Sequence, residues 1–156
     1  MIIIGVDPGF SGAIAVFRPF FWMMEIYDMP VVPNKKGKNE IDLHNLHELL
    51  APEDDKPHRA MVEQVAAMRG QGVSSMFRFG QGYGALQMGL AAHKIPTDYV
   101  TPAKWKKHFG LSRDKGASRG LAMQKFPSIA DKFKRVKDDG RAEAALLALY
   151  SYEVNR

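Results

Sequence analysis

The chain has 156 residues, 46% of them hydrophobic, and a formal net charge of +5, which predicts one ordinary domain with a buried core and excludes a disordered chain. It has no cysteine, so disulfides and thiolate zinc sites are excluded and a reducing cytoplasm is expected. No apolar run approaches the ~18 residues of a membrane span, and Asp7 interrupts the N-terminal run too early for a signal peptide, so a soluble protein is expected. Ile2, Ile3, Ile4 and Val6 form a β-branched run that predicts a strand buried on both faces. Pro8, Gly9, Ser11 and Gly12 break it, and Ala13 to Phe17 predicts a second strand running back. Asp7 stands where the buried strand ends. It either caps its own turn or aims a carboxylate at a metal, and this stretch alone favours neither.

Phe20 to Tyr27 predicts a third strand, and Pro33 to Asn39 a mobile polar loop. Glu40 to Leu50 has the apolar spacing of a helix, with His44 and His47 on its surface. A turn over Pro52 to Pro57 leads to a short apolar strand, Arg59 to Val65, with Glu63 inside it. A charge embedded there is costly unless it is paired or metal-bound. Arg69 to Phe79 joins glycines, hydroxyls, arginines and phenylalanines, which suits a loop that touches DNA through Arg69, Ser74, Phe77 and Arg78. The alternative is a glycine loop entering a helix capped by Ser74 or Ser75, with Phe77 in the core. The helix then runs to about His93, and Gly80 and Gly84, at i and i+4, allow another element to approach closely. Ile95 to Val100 predicts a further apolar strand, hence a strand–helix–strand unit with a parallel pair.

From Thr101 to Lys137 there are eleven Lys or Arg against two acids, a local balance of +9 that leaves the rest of the chain at −4. Cations to hold phosphates attached to acids that hold metals is the division a nucleic-acid enzyme needs. Thr101 and Pro102 open a short helix bearing Lys104, Lys106 and Lys107. Arg113, Lys115 and Arg119 lie at the start of the next helix, which ends at Phe126-Pro127. A strong C-terminal helix follows Asp138. Asp139 and Glu143 share one of its faces, whereas Asp138 points about 100° away and serves the helix N-terminus. Asp7, Glu63, Asp139 and Glu143 together make about the number of carboxylates that two-metal phosphodiester hydrolysis needs, with magnesium the natural partner of hard oxygen ligands.

Ile4-Gly-Val-Asp7-Pro-Gly, Val62-Glu63-Gln-Val, Phe79-Gly-Gln-Gly, Thr101-Pro-Ala-Lys-Trp-Lys-Lys and Asp139-Gly-Arg-Ala-Glu143-Ala-Ala-Leu-Leu stand in an order and spacing that resemble the RuvC-type Holliday-junction resolvases of the ribonuclease H-like superfamily. The resemblance covers nearly the whole chain, and Gly70 to Phe77 is similar to the bacteriophage branch. It implies an α/β fold over residues 1–156, a mixed five-stranded sheet with helices on both faces. It also implies a homodimer, and symmetric nicking of four-way DNA junctions in recombination and repair with Mg²⁺ or Mn²⁺, two ions per site, and no small-molecule cofactor. The location would be cytoplasmic, that of a bacterial host for a phage protein. Asp7 and Glu63 match the first two family acids, and Lys106 and Lys115 match basic positions beside the active site, Lys115 with a catalytic part.

The cellular bacterial enzymes end with two acids three apart, whereas Asp139 and Glu143 are four apart here. The aromatic that those enzymes carry past the second acid is Ala66, so a wedge would come from Met68, Met76 or Phe77, and forks or flaps join the expected substrates. The rival readings are a ribonuclease H-like enzyme with other chemistry, such as an RNase or an actin-like ATPase, and a non-catalytic DNA-binding module.

Overall fold

The β-branched run at the N-terminus becomes the middle strand of the molecule, β1 (Ile2–Asp7), in a computed structural model that describes residues 1–51, 58–67, 70–112, 114 and 116–155. β2 (Ala13–Arg18) and β3 (Met23–Asp28) fold back beside it in succession, both pairings antiparallel. A short ribbon follows, β4 (Val31–Pro33) and β5 (Asn39–Ile41), then α1 (Leu43–Leu50). β6 (His58–Glu63) pairs parallel to β1, α2 (Val73–Ala92) crosses over, and β7 (Thr97–Val100) pairs parallel to β6. The chain ends in α3 (Pro102–His108), α4 (Ala117–Lys125) and the long α5 (Asp139–Val154). The five main strands lie in the order β3-β2-β1-β6-β7, the mixed sheet that the resemblance implied.

Alternation along β1 divides its side chains between two cores. Ile4 and Val6 pack with Ile14, Leu46, Leu86 and Leu90 under α1 and α2. Ile3 joins Phe17, Trp105, Phe126 and the apolar length of α5 on the other face. Burial on both faces explains why β1 is continuously apolar. α5 lies so close to the sheet that a Cβ on Gly5 would come 2.1 Å from the Ala144 carbonyl oxygen, so that position admits only glycine. No helix among the described residues is long and apolar enough to cross a membrane.

Several local expectations change. Phe20 and Phe21 leave the third strand for a 3-10 turn, because Pro19 has no N–H for a ladder and Trp22 takes a left-handed φ of 51°. The helix expected from Glu40 begins at Leu43, since Asp42 caps it by accepting the Asn45 N–H (3.1 Å). The polar loop from Pro33 to Asn39 is the hydrogen-bonded turn of the β4–β5 ribbon. Ser74 and Ser75 do not cap α2. Gly72 holds that position, and both serines lie inside the first turn. Phe77 is 67% exposed rather than in the core. The turn expected over Pro52 to Pro57 lies outside the described residues.

Candidate active site

The parallel register Val6↔Val62 sets Asp7 and Glu63 side by side as the last residues of β1 and β6. Alternation points both toward α5, on the face that carries Ile3 and Met61. The first turn of α5 closes over them. A Cβ on Gly140 would sit 3.0 Å from Asp7 Oδ2 and 2.4 Å from the Ser11 carbonyl oxygen, so this approach too requires glycine. One turn apart, Asp139 and Glu143 flank that contact on the side of α3 and α4.

Burial pushes the Asp7 carboxyl up to about 7, and the neighbouring Glu143 and Glu63 charges add to the rise. The Gly9 N–H, which donates to Asp7 Oδ1 at 3.2 Å, and Lys106 oppose it. Asp7 therefore caps its own turn and also faces two other acids. Glu63 is 9% exposed and accepts a hydrogen bond from Trp105 Nε1 at 2.8 Å. Burial raises its pKa, and the indole bond and Lys106 counter it. Its hydrogen-bond partner is thus an indole N–H, where the sequence suggested a paired charge or a metal.

The two α5 acids are held by cations. Lys106 Nζ lies 2.7 Å from Glu143 Oε1 and 5.1 Å over the Trp105 ring. Arg119 Nε donates to Asp139 Oδ1 at 2.6 Å. Lys106, Lys107, Ser112, Ser118, Asp139 and Glu143 line an open groove between α3, α4 and α5. Asp138 faces elsewhere. It is 1% exposed, accepts the Arg135 N–H (2.9 Å) and the Arg135 guanidinium, and lies 3.5 Å from Arg141, which also grips Asp28 through two 2.6 Å bonds. The Arg135 bonds hold the Asp138 carboxyl below its ordinary value.

The donor set suits a hard divalent cation in kind: oxygen ligands only, centred on a buried carboxylate with which no cation pairs among the described residues. As the side chains stand, no three acids among the described residues converge tightly enough to ligate one ion. Glu143 and Asp139 are instead paired with Lys106 and Arg119.

Of the expected DNA-contacting residues, Lys104, Lys106 and Lys107 lie on α3 and Arg119 on α4, with Lys106, Lys107 and Arg119 beside the α5 acids. Ser74, Phe77 and Arg78 lie on the first two turns of α2, on the other face of the sheet. Arg78 is engaged within the protein: Nη1 donates to the Asn39 carbonyl (2.9 Å), and the guanidinium sits 5.9 Å over the Phe10 ring. Arg69, Arg113 and Lys115, with Met68, lie outside the described residues. Sequence reasoning missed Trp105 as the partner of Glu63 and Gly140 as the contact on Asp7. The only signal for Trp105 was an aromatic among the lysines of a seven-residue helix, and Gly140 was read only as motif.

Neither a protein-family model nor a curated protein sequence matches the chain. Solved structures do. RuvC of Thermus thermophilus in complex with a Holliday junction substrate aligns with TM-score 0.61 and 17% identity over 99% of this chain and 95% of that one. A second structure of Thermus thermophilus RuvC aligns with TM-score 0.52 and 13% identity, covering 99% and 97%. The fowlpox virus Holliday junction resolvase aligns with TM-score 0.57 and 19% identity over the full length of both chains. The sheet order, the crossover helix and the closing α5 are therefore those of a ribonuclease H-like α/β fold, shared with RuvC and the poxviral resolvase over nearly the whole chain.

Proposed function

We propose that this protein is a structure-selective endonuclease that nicks four-way DNA junctions, with Mg²⁺ or Mn²⁺ held by Asp7, Glu63, Asp139 and Glu143. The observation that carries the reading is the electrostatic coupling of the buried Asp7 to Glu63 and Glu143 at the C-terminal edge of two parallel strands, beside a groove that Lys106 and Lys107 line together with Asp114, Asp139 and Glu143. The fold shared with junction resolvases supports it. When bound, the metal would supply an activated water and stabilisation of the leaving oxygen. The chain's own groups prepare that chemistry. Gly140 and the turn after β1 keep Asp7 buried and fixed, and Trp105 orients Glu63 through its N–H. Lys106 and Arg119 pair with the α5 acids Glu143 and Asp139. Were those carboxylates to ligate a metal, the two cations would be available to phosphate oxygens. Lys115, by the resemblance, joins them at the scissile phosphate.

Two matched nicks call for two copies of the site. Beyond its first turn and a half, α2 presents Gly80, Gly84 and Met88 as exposed positions at helical spacing, and this part of its face supports a homodimer.

The deciding experiment compares cleavage of a four-way junction, a fork and a linear duplex, with Mg²⁺ and with EDTA. Wild type should nick the branched substrates only, and chelation should abolish nicking while binding persists. Asp7→Asn, Glu63→Gln, Asp139→Asn and Glu143→Gln should each remove most cleavage, by more than the roughly 10–100-fold that loss of an outer-shell partner costs, and keep junction binding. Undiminished cleavage in EDTA would refute the metal mechanism, and equal cleavage of duplex would refute the selectivity.

A further inference from the structure

The β4–β5 ribbon carries three lysines within four residues, Lys35, Lys36 and Lys38, in a segment that the sequence marked only as a polar loop. All three are exposed, and none forms an ion pair among the described residues. Asn34 organises the turn beneath them. Its Oδ1 accepts the Lys36 N–H (2.9 Å) and the Lys38 N–H (3.0 Å), and its Nδ2 donates to Glu40 (2.8 Å), the one acid on the ribbon. Gly37 completes the turn with φ of +71°. The lysines are thus presented on a preformed scaffold, which reduces the ordering cost of contacting a ligand.

The ribbon is also locked to the active-site end of the sheet. Ile41 packs against Gly82 of α2 so closely that a Cβ there would lie 2.6 Å from Ile41 Cγ1. Arg78 bonds the Asn39 carbonyl and covers Phe10, three residues beyond Asp7, while Phe10 meets Phe79 edge-on at 6.2 Å. Between ribbon and helix runs an open groove lined by Lys35, Lys36, Lys38, Ser74 and the exposed ring of Phe77. Unpaired cations, hydroxyls and an exposed aromatic in one groove fit a nucleic-acid backbone with its bases. An anionic lipid surface fits less well, because the cations line a groove.

We infer that the β4–β5 ribbon is a second DNA-contacting element, in which Lys35, Lys36 and Lys38 hold the phosphates of a strand that passes over Phe77 on the opposite face of the sheet from the α3 lysines. It rests on the reading of the protein as a DNA nuclease. It adds that the substrate is held on both sides of the site. The α3 and α4 cations lie beside the acids that would hold the metal. The ribbon grips DNA away from the chemistry and contributes affinity without affecting turnover.

The test is Lys35→Gln/Lys36→Gln/Lys38→Gln in the full-length chain, with Lys94→Gln, at the far end of α2, as the charge control. Binding to a four-way junction in EDTA is measured across a salt series. The log–log salt slope should become shallower by about 2–3, and Kd should rise roughly tenfold to several hundredfold near 0.1 M salt. Lys94→Gln should change neither, and single-turnover cleavage at saturating DNA should stay within twofold. An unchanged Kd and slope in the triple variant overturns the inference. Binding to phosphatidylserine vesicles that the triple variant loses while its DNA affinity stays intact also overturns it. If wild type cleaves no DNA but the substitutions still weaken DNA binding, the nuclease reading fails and the ribbon assignment stands.

Discussion

Asp7 is the residue on which the electrostatics of the site converge. Its carboxyl is raised from 3.8 to about 7, first by burial and then by Glu143 and Glu63. In the folded chain it keeps its proton up to about pH 7, whereas the unfolded chain releases it near 4. Between those values the folded state binds more protons, so stability falls as pH rises through the window and levels off above it. The whole span is worth on the order of 2–4 kcal/mol. Metal-free wild type should therefore lose stability from pH 4 to 7 relative to Asp7→Asn, and Mg²⁺ should restore much of the difference at pH 7. Denaturant titrations of both proteins across that range check this, and parallel pH profiles would show that Asp7 is not the destabilising group. Asp28 and Asp138 work in the opposite sense. Their values are lowered by hydrogen bonds from Arg141 and Arg135, so their contribution is present above about pH 4 and is lost as pH falls. Asp138 belongs to the structure of the helix start, and Asp139 and Glu143 belong to the groove.

At the scale of elements, α2 separates two uses of glycine. Inside the chain, Gly82 and Gly89 are the positions where Ile41 and Leu50 come close. Gly80 and Gly84, the pair singled out by spacing, face open space, with nothing within 4 Å of a Cβ. Gly84→Leu should therefore fold normally, with an unfolding midpoint near that of wild type. If α2 forms the dimer face, sedimentation should show dimer weakened at least tenfold. Loss of folding in this variant would contradict the open position, and an unchanged dimer would move the interface elsewhere. What the sequence revealed follows from which elements carry their own signal. β1 and residues 144–150 of α5 are continuously apolar because both are enclosed, and the acids at the ends of those runs stand out against that background. The β4–β5 ribbon has three-residue strands with no alternation to read, and Ile41, Arg78 and the Asn34 turn hold it in place. The Phe20-Phe21-Trp22 run is apolar enough to pass for strand, yet Pro19 and the left-handed Trp22 turn it outward. The pairings of Lys106 with Glu143 and Trp105 with Glu63 join residues 37 and 42 positions apart, which no local spacing announces.

For the whole molecule, the two faces of the sheet take different tasks. α3, α4 and α5 build the groove over the acids on one face, and α2 lays its exposed stripe along the other. On the proposed assignment, Asp7, Glu63, Asp139, Glu143, Lys106 and Arg119 lie near one another within one chain, which supports a separate site in each copy. A dimer through α2 would leave both grooves open and place one independent site against each of two strands of a junction. Independence has a kinetic consequence. If each subunit cuts its own strand, a mixed dimer of wild type and Asp7→Asn should nick one strand at close to the normal rate per active subunit, then stop. The product would be a singly nicked junction that accumulates without being resolved into two duplexes. The measurement is a single-turnover time course on a four-way junction labelled on opposing strands, using dimers tagged differently on each subunit so that the mixed species can be isolated. Complete resolution by the mixed dimer would mean that one site serves both strands, and loss of all nicking would mean that the sites are coupled. Either result would displace the picture of two self-contained sites joined back to back through α2.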